Sequence, residues 1–204
     1  MKSRYDSGKT DTNKFRLNKL MQILPDYIDD MEVLEIGCYK SPLLREYIHS
    51  LSRLYVGVDI DKNIRKLNLP YLICKDILEL NLNRKCDVIF AGELIEHLAN
   101  HKKFLEVCIK HLKKDGLLIL TTPNPYFFGR FLDIIKRGEP HVSRFHYCYF
   151  CPKTLTKLLD DHNFKVLNLI WLNESSSKRL GYLPLKFREW FSSNFMLIAK
   201  NVQF

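Results

Sequence analysis

The segment that most constrains this chain runs from Glu32 to Cys38 and reads Glu-Val-Leu-Glu-Ile-Gly-Cys. Its valine, leucine and isoleucine are the residue types that fill a strand buried on both faces. Gly37 permits backbone angles, and a close approach by a ligand, that a side chain would block. Ser41 and Pro42 then suit the N-cap and the first position of a helix. Strand, glycine turn and helix in this order predict the first unit of a nucleotide-binding α/β sheet.

The same alternation continues along the chain, because further short apolar segments are separated by amphipathic ones. Apolar segments that predict strands lie at 54–60, 71–74, 86–91, 117–121, 165–171 and 194–200. Segments with helical spacing lie at 13–24, 42–50, 62–67, 101–111 and 152–162. Strands that alternate with helices in this way predict a parallel sheet with helices on both faces.

Length and composition indicate a globular protein. A chain of 204 residues suits one domain, and its hydrophobic content of 46% is ordinary. No apolar segment approaches the roughly 20 residues that span a membrane, and the polar first 13 residues lack the apolar core of a secretory signal. The six cysteines are scattered, which favours free thiols over a disulfide framework. We therefore expect a cytoplasmic protein.

The chain is basic, with a formal net charge of +9. From residue 126 onward there are 12 Lys and Arg against 6 Asp and Glu, so this part contributes +6. A basic surface suits nucleic acid, an anionic membrane or a phosphorylated sugar or lipid, although a solvated lysine-rich surface explains it equally well. The apolar and basic segment 182–191 could dock peripherally on a membrane, or it could pack over a substrate lid.

Acidic residues follow the first three predicted strands. Glu35, Asp59 and Asp76 lie at or just past the carboxyl ends of these strands, where ligands of doubly wound sheets bind. An acid after the second strand typically accepts hydrogen bonds from ribose hydroxyls, and one after the third can accept from an adenine amine. An acid at the first strand suits a ligand with a positive centre. The pattern favours an adenosyl ligand over a dinucleotide.

These segments, taken in order, resemble the motifs of class I S-adenosylmethionine-dependent methyltransferases. The matching stretches are Val-Leu-Glu-Ile-Gly-Cys, Val-Gly-Val-Asp-Ile, Cys-Lys-Asp-Ile-Leu, Asp-Val-Ile-Phe-Ala-Gly-Glu and Leu-Lys-Lys-Asp-Gly-Leu-Leu-Ile-Leu-Thr-Thr-Pro-Asn. The resemblance implies an α/β, Rossmann-like, seven-stranded and mostly parallel sheet, with helices on both faces and the last strand antiparallel. It also implies one domain over 1–204, with a helix or lid at 1–30 and an acceptor-side insert at 125–163.

The resemblance further implies how S-adenosylmethionine is held. Glu35 and Gly37 would hold the methionine end, Asp59 the ribose, and Asp76 with Ile77 the adenine. The full expected set is Glu35, Gly37, Cys38, Tyr39, Asp59, Ile60, Asp76, Ile77, Gly92 and Glu93.

The glycine loop departs from the family pattern. The family's Gly-x-Gly-x-Gly loop is here reduced to Gly37, since Tyr39 and Ser41 replace the later glycines. The two side chains are expected to narrow the site or redirect the loop. A non-catalytic adenosyl-binding module is therefore an alternative reading.

A candidate catalytic group follows the fourth strand. Glu93, Glu96 and His97 have the spacing i, i+3 and i+4, so they would share one face if this turn is helical. With a later histidine, His146 by preference or else His141, they could bind a divalent metal that activates an acceptor hydroxyl. Alternatively, His97 or His146 acts as a simple general base, or the acids merely start a helix.

The Glu-x-x-Glu-His pattern is similar to that of ubiquinone-pathway O-methyltransferases, and of RNA 2′-O-methyltransferases whose matching residues hold a metal. The stretch from Thr121 to Phe164 also resembles bacterial methyltransferases of surface glycans and lipid-linked sugars. Its many aromatic residues offer apolar and stacking surface to a ring or chain. The predicted reaction is methyl transfer to a hydroxyl of a small molecule, sugar or lipid-linked glycan. An RNA acceptor is the second choice.

Overall fold

The computed structural model describes residues 6–139, 142–172 and 188–203. Within these residues the strands form one seven-stranded sheet of order β3-β2-β1-β4-β5-β7-β6. β7 runs antiparallel to both of its neighbours, and the other neighbouring pairs are parallel, so the predicted sheet is confirmed. The strands are β1 (Glu32–Ile36), β2 (Leu54–Asp59), β3 (Leu72–Cys74), β4 (Cys86–Gly92), β5 (Leu112–Pro123), β6 (Phe164–Leu172) and β7 (Asn194–Asn201).

The helices lie between these strands, largely where the hydrophobic spacing predicts them. They are α1 (Asp6–Ile23), α2 (Pro25–Ile28), α3 (Pro42–Leu51), α4 (His101–His111), α5 (Phe128–Arg137), α6 (Pro152–Asp160) and α7 (Arg188–Phe191). Short 3₁₀ turns add Lys62–Leu67, Ile77–Glu79 and Ile95–His97.

Two boundaries differ from the sequence predictions. The helix predicted over 13–24 begins earlier, at Asp6, because a helix anchored by its buried end extends cheaply into polar residues. The fifth strand was expected to begin after the turn at Asp115 and Gly116, but β5 begins at Leu112. Asp115 adopts a left-handed conformation inside the strand, where the pairing with β4 shifts its register.

The alternating residues of the strands feed two separate cores. Leu34 and Ile36 of β1 belong to the core covered by α4 and α6, whereas Val33 belongs to the core covered by α1 and α3. This period of two is what a strand buried on both faces requires. Because Glu35 is two residues from Val33, its side chain faces the α1 and α3 side of the sheet.

Strand order reverses at β1, because β2 pairs with one edge of β1 and β4 pairs with the other. Doubly wound sheets bind ligands at such a reversal, outside the carboxyl ends of the strands. At this point β1 is followed by Gly37 with φ 81°, and β4 by Glu93 with φ 50°. The backbone is therefore left-handed at the residue that follows each of these strands, and a crevice opens between the two turns.

Other sequence expectations concern membranes and thiols. Among the described residues, no helix combines the length and the apolar character needed to cross a membrane. All six cysteines are free, and Cys38, Cys86 and Cys108 are buried in the core. This confirms that the cysteines do not form a disulfide framework.

Gly57 of β2 provides the first test of the packing. A Cβ atom there would lie 2.7 Å from Leu72 Cδ2 and 2.8 Å from both Cys38 Sγ and Tyr55 Oη. We expect Gly57→Ala to lower the free energy of unfolding by about 1–3 kcal/mol, since a packed core cannot absorb the extra atom. Urea denaturation measures this loss. Ile60→Ala, at an exposed position just after the same strand, should change stability by less than about 0.5 kcal/mol. Equal effects of the two substitutions would contradict this description of the core.

Candidate functional site

A cavity of about 260 Å³ lies at the carboxyl ends of β1, β4 and β5, between α1 and α3. Its polar lining contains Glu35 and Glu93, both predicted, and also Arg16, Lys40 and Thr121, which the sequence did not single out. The described residues that line it are Arg16, Leu17, Leu20, Glu35, Gly37, Lys40, Ser41, Pro42, Leu43, Leu44, Phe90, Gly92, Glu93 and Thr121. Acids and bases facing each other in one cavity match a ligand that carries both charges, such as an amino-acid group.

Glu35 is the most deeply buried acid of this cavity, with 2% of its surface exposed. Tyr55 donates its phenolic hydrogen to Glu35 Oε2 at 2.6 Å. Burial raises the pKa of Glu35 to about 7, although the Tyr55 hydrogen bond and the charge of Arg45 work in the opposite direction. A carboxyl group in this condition is costly to ionise until a cation comes close.

Asp59 organises the loop that lacks the family's later glycines. Its Oδ2 accepts the Tyr39 N–H at 2.9 Å, and its Oδ1 accepts the Asp61 N–H at 2.8 Å. The Gly37 N–H donates to the Val58 carbonyl at 2.8 Å. Ser41 lines the cavity, whereas Tyr39 is not among the lining residues. The side chains that replace the family's later glycines therefore do not fill the cavity.

The other residues predicted to hold the cofactor are distributed more widely. Gly92 lines the cavity with Gly37, Glu35 and Glu93. The Ile60 side chain is 68% exposed just beyond β2, and Asp76 Oδ1 accepts the Leu78 N–H at 2.9 Å. The side chains of Cys38 and Ile77 are buried in the protein interior, so these two residues present backbone rather than side chain to a ligand.

Glu93 is held by contacts from distant parts of the chain. Thr121 Oγ1 donates to Glu93 Oε1 at 3.0 Å, and Asn194 Nδ2 donates to Oε2 at 2.6 Å. Arg16 of α1 forms an ion pair with Glu93 Oε2 at 3.0 Å. A left-handed backbone at a residue other than glycine is strained, and such strain concentrates at functional sites. Glu93 thereby ties α1 to the cavity.

The expected shared helical face of Glu93, Glu96 and His97 is wrong. Glu93 leaves β4 in a left-handed conformation, and the 3₁₀ turn begins only at Ile95, so Glu93 faces the cavity. Among the described residues, Glu96, His97 and His146 instead bring one possible ligand atom each to within 4.8 Å of one another. Glu93 is absent from this group, and His141 lies outside the described residues. We call Glu96, His97 and His146 the acid–imidazole cluster.

Glu96 is fully buried in the acid–imidazole cluster. Thr122 Oγ1 donates to its Oε2 at 3.0 Å. Burial, reinforced by the neighbouring Glu93 carboxylate, raises the pKa of Glu96 to about 8. A buried acid of this kind is suited to bind a cation or to carry a proton.

The two imidazoles lie edge to face, with ring centroids 4.5 Å apart. His97 Nδ1 lies 3.0 Å from the carbonyl oxygen of Phe145, so Nδ1 carries the hydrogen of this contact. Burial and the nearby His97 lower the pKa of His146. A lowered pKa favours the neutral form of His146, which is the form that binds a metal or accepts a proton.

The fit of a metal ion can be judged from unpaired atoms. Among the described residues, the buried side-chain atoms without a hydrogen-bond partner are Glu96 Oε1 and His146 Nδ1. Both belong to the acid–imidazole cluster, and buried polar atoms are rarely left unpaired. One carboxylate with two imidazoles is a donor set that suits several divalent cations. The cluster therefore fits a metal.

The structure contains a second, larger cavity, of about 600 Å³. Apart from Arg130, the described residues that line it are apolar or aromatic: Pro125, Tyr126, Phe127, Phe128, Phe131, Ile134, Val142, Tyr149 and Trp190. The Arg130 guanidinium lies 4.4 Å from the centre of the Tyr149 ring and donates to the Tyr149 hydroxyl at 3.0 Å. The Tyr149 ring is 5.4 Å from that of His146, so this apolar cavity borders the acid–imidazole cluster.

The expected insert after β5 supplies most of this apolar cavity. Of the aromatic residues predicted to face an acceptor, Tyr126, Phe127, Phe128 and Tyr149 line it, whereas Phe145 and Tyr147 are exposed outside it. The segment 182–191 was expected either to dock on a membrane or to pack over the substrate lid. Residues 182–187 lie outside the described part of the chain, and Trp190 lines the cavity.

The buried Glu35 generates a stability prediction. Its pKa rises from an ordinary 4.5 to about 7, so folding disfavours the charged form. Its favourable contribution is present below pH 4.5 and is lost as pH rises through 7. Between pH 5 and pH 8 this loss lowers the free energy of unfolding of the wild type by on the order of 2–3 kcal/mol. We expect Glu35→Gln to remove the loss, so that the variant gains this amount of stability relative to the wild type over the same pH range. Urea denaturation at both pH values measures it. The exposed Glu106→Gln should follow the wild type, and parallel pH profiles for wild type and Glu35→Gln would contradict the assignment.

Comparison with known proteins identifies the family of this chain. Residues 12–169 match the family model of the methyltransferase domain. Over 162 residues the chain is 30% identical to the mitochondrial ubiquinone biosynthesis O-methyltransferase of Rattus norvegicus, covering 68% of this chain and 46% of that protein. It is 25% identical to the ubiquinone biosynthesis O-methyltransferase of Rickettsia conorii, covering 92% of this chain and 66% of that protein. This chain thus spans about half the length of the rat relative.

Solved structures share the fold. A SAM-dependent methyltransferase from Archaeoglobus fulgidus superimposes with a TM-score of 0.67 at 20% identity, covering 96% of this chain and all of that one. The N-methyltransferase NodS of Bradyrhizobium japonicum, in complex with S-adenosyl-L-homocysteine, gives 0.60 at 14% identity, covering 94% and 88%. With the matched domain, the ordered motifs and this sheet, the chain belongs to the class I S-adenosylmethionine-dependent methyltransferases.

Proposed function

We propose that this protein transfers a methyl group from S-adenosylmethionine to a hydroxyl of a small molecule with an apolar ring or chain. The observation that carries the proposal is the position of the acid–imidazole cluster between two cavities. Glu96 lies next to Glu93 of the cofactor cavity, and His146 contacts Tyr149 of the apolar cavity. The acid–imidazole cluster, which can accept a proton, therefore lies where a methyl donor and an apolar acceptor would meet. The relatives named for O-methylation in ubiquinone biosynthesis support the same chemistry.

The residues of the first cavity would bind the cofactor by charge and shape. Glu35 would accept the methionine ammonium, and Arg16 or Lys40 would neutralise its carboxylate. The Gly37 turn allows close approach of the backbone, Asp59 stands at the ribose and Asp76 at the adenine. When bound, S-adenosylmethionine supplies an electrophilic methyl on a positively charged sulfur. The chain's task is alignment, because in-line displacement of the methyl needs little covalent help.

The acid–imidazole cluster would remove the acceptor's proton. Glu96 has one oxygen fixed by Thr122, which leaves Oε1 for a cation or a proton. A divalent cation held by Glu96, His97 and His146 would lower the pKa of a hydroxyl bound beside it. In the absence of a metal, His146, whose pKa burial lowers, would instead be the base that accepts the proton.

The apolar cavity decides among acceptors. Within the part of the chain that the structure describes, Arg130 is the one charged residue of its lining, and these residues offer few polar partners to a sugar and few cations to a phosphate backbone. An aromatic or hydrocarbon body with a hydroxyl at the cluster satisfies it better. This favours a small apolar acceptor over a glycan or an RNA 2′-hydroxyl, although the net charge of +9 keeps RNA as a competitor for the assay.

The test of the proposal is Glu96→Gln, assayed with S-adenosylmethionine and a panel of acceptors. The panel contains catechols and prenylated phenols, a sugar, and an RNA oligomer. We expect the wild type to methylate an apolar phenol, and Glu96→Gln to bind S-adenosylmethionine within about twofold while its turnover falls by about 10²–10⁴-fold, the range for a lost acid–base group. Glu106→Gln should retain full activity. Full activity of Glu96→Gln would return Glu96 to a structural role, and methylation of RNA alone would overturn the acceptor class.

The role of a metal is tested separately. We expect chelation to abolish turnover, and Mg²⁺ or Mn²⁺ to restore it, without affecting S-adenosylmethionine binding measured by calorimetry. His146→Ala should weaken Mn²⁺ binding, followed by electron paramagnetic resonance of the free ion, by about 10–100-fold, as expected for a lost ligand contact. Activity that survives exhaustive chelation would exclude the metal and assign the proton transfer to the imidazoles alone.

A further inference from the structure

Tyr55 is a buried phenol near the start of β2, with 3% of its surface exposed. Its hydroxyl donates to Glu35 Oε2 at 2.6 Å, a length typical of a strong bond from a hydroxyl to a carboxylate. Glu35 in turn lines the cofactor cavity. Tyr55 thus connects the interior of the sheet with an acid of the cavity, while itself remaining outside the lining residues.

The surroundings of Tyr55 fix the direction of this hydrogen bond. Its ring contacts His49 and Tyr71 edge to face, with centroid distances of 5.4 and 5.5 Å. Gly57 lies opposite Glu35 in the pairing of β1 with β2, and a Cβ at Gly57 would come within 2.8 Å of the Tyr55 hydroxyl. The chain therefore leaves a gap beside Glu35 that the hydroxyl occupies. Because His49 and Tyr71 contact its ring and its hydroxyl occupies this gap, the Tyr55 side chain has little freedom to adopt another rotamer.

We propose that Tyr55 is a positioning residue for cofactor binding, which holds the Glu35 carboxylate toward the cavity to receive a ligand's ammonium group. The proposal rests on the adenosyl cofactor and not on the identity of the acceptor. A carboxylate with one oxygen fixed in this way needs less reorganisation when a cation arrives, which is the usual advantage of preorganisation. The phenol also favours the charged form of Glu35, the form that binds a cation.

The charges around Glu35 set the expected pH dependence. The Tyr55 hydrogen bond and the Arg45 charge lower the pKa of Glu35, whereas burial and the carboxylates of Asp59 and Glu46 raise it. Other titratable or charged groups around it are the buried thiol of Cys38 and, on the cavity side, Arg16, Lys40 and Glu93. Removing the phenolic donor therefore shifts the ionisation of Glu35 to higher pH. A cation that needs the ionised form should then bind more weakly near neutral pH and recover in alkali.

The test compares two ligands that differ in the amino-acid group. S-Adenosylhomocysteine carries the ammonium group, and 5′-methylthioadenosine lacks it. We expect Tyr55→Phe to weaken binding of S-adenosylhomocysteine at pH 7 by about 10–100-fold, the range for a hydrogen bond to a charged group, and to leave 5′-methylthioadenosine within about twofold. At pH 9 most of the loss should disappear. Calorimetric titration at both pH values provides the data.

Two further variants make the result decisive. Tyr71→Phe, in the same aromatic group, should leave both affinities within about twofold of the wild type. In a Glu35→Gln background, Tyr55→Phe should add nothing further, because the two residues act on one contact. Equal weakening of both ligands by Tyr55→Phe would reduce Tyr55 to a packing role, whereas a loss at pH 9 for S-adenosylhomocysteine alone would assign the effect to the position of the carboxylate rather than to its ionisation. Unchanged S-adenosylhomocysteine binding in Tyr55→Phe would overturn the positioning role while leaving the proposed function intact. A wild type that binds neither ligand would overturn both.

Discussion

The reversal of strand order at β1 is the constraint on which the rest of the site depends. Because β2 and β4 pair with opposite edges of β1, the turns after β1 and β4 diverge and leave a crevice between them. Each turn is made by a left-handed residue, Gly37 and Glu93. Glycine adopts this conformation freely, whereas glutamate does so at a cost that its bonds to Thr121, Asn194 and Arg16 offset. The topology therefore produces the crevice, and the strained glutamate connects it to the N-terminal helix.

Two buried acids lie near this junction, and their environments separate their roles. Glu35 is paired with a phenol and faces the first cavity, whereas Glu96 is paired with Thr122 and has one oxygen without a partner among the described residues. Burial raises the pKa of both, which makes each acid costly to the folded state in its charged form. Such costs are common where stability is given up for binding or catalysis. The first acid suits a ligand's ammonium group, and the second suits a metal or a proton.

The sequence predicts the fold closely, because the aliphatic segments, their acidic ends and the helical spacing all agree with one another. The helix bounds His101–His111 and the turn bounds Lys62–Leu67 follow directly from such patterns. The site is harder to predict, since it depends on where side chains point. The left-handed backbone conformation of Glu93 separates its side chain from those of Glu96 and His97. The spacing of residues along the sequence does not predict this backbone conformation. Arg16 and Tyr55 were also missed, because their contacts are with Glu93 and Glu35, far away along the chain.

The loop in which Tyr39 and Ser41 replace glycines shows why a sequence motif should be interpreted together with the contacts that surround it. The family's later glycines would allow the backbone to approach a ligand, and Tyr39 and Ser41 were expected to obstruct this. Instead, the two carboxylate oxygens of Asp59 hold the N–H groups of Tyr39 and Asp61, so the loop is fixed by hydrogen bonds. Tyr39 is not among the lining residues, Ser41 presents a small hydroxyl, and a cavity of about 260 Å³ remains. Asp59 therefore fixes the loop in a conformation that leaves the cavity open. This weakens the argument for a non-catalytic module, because that argument required the altered loop to close the site.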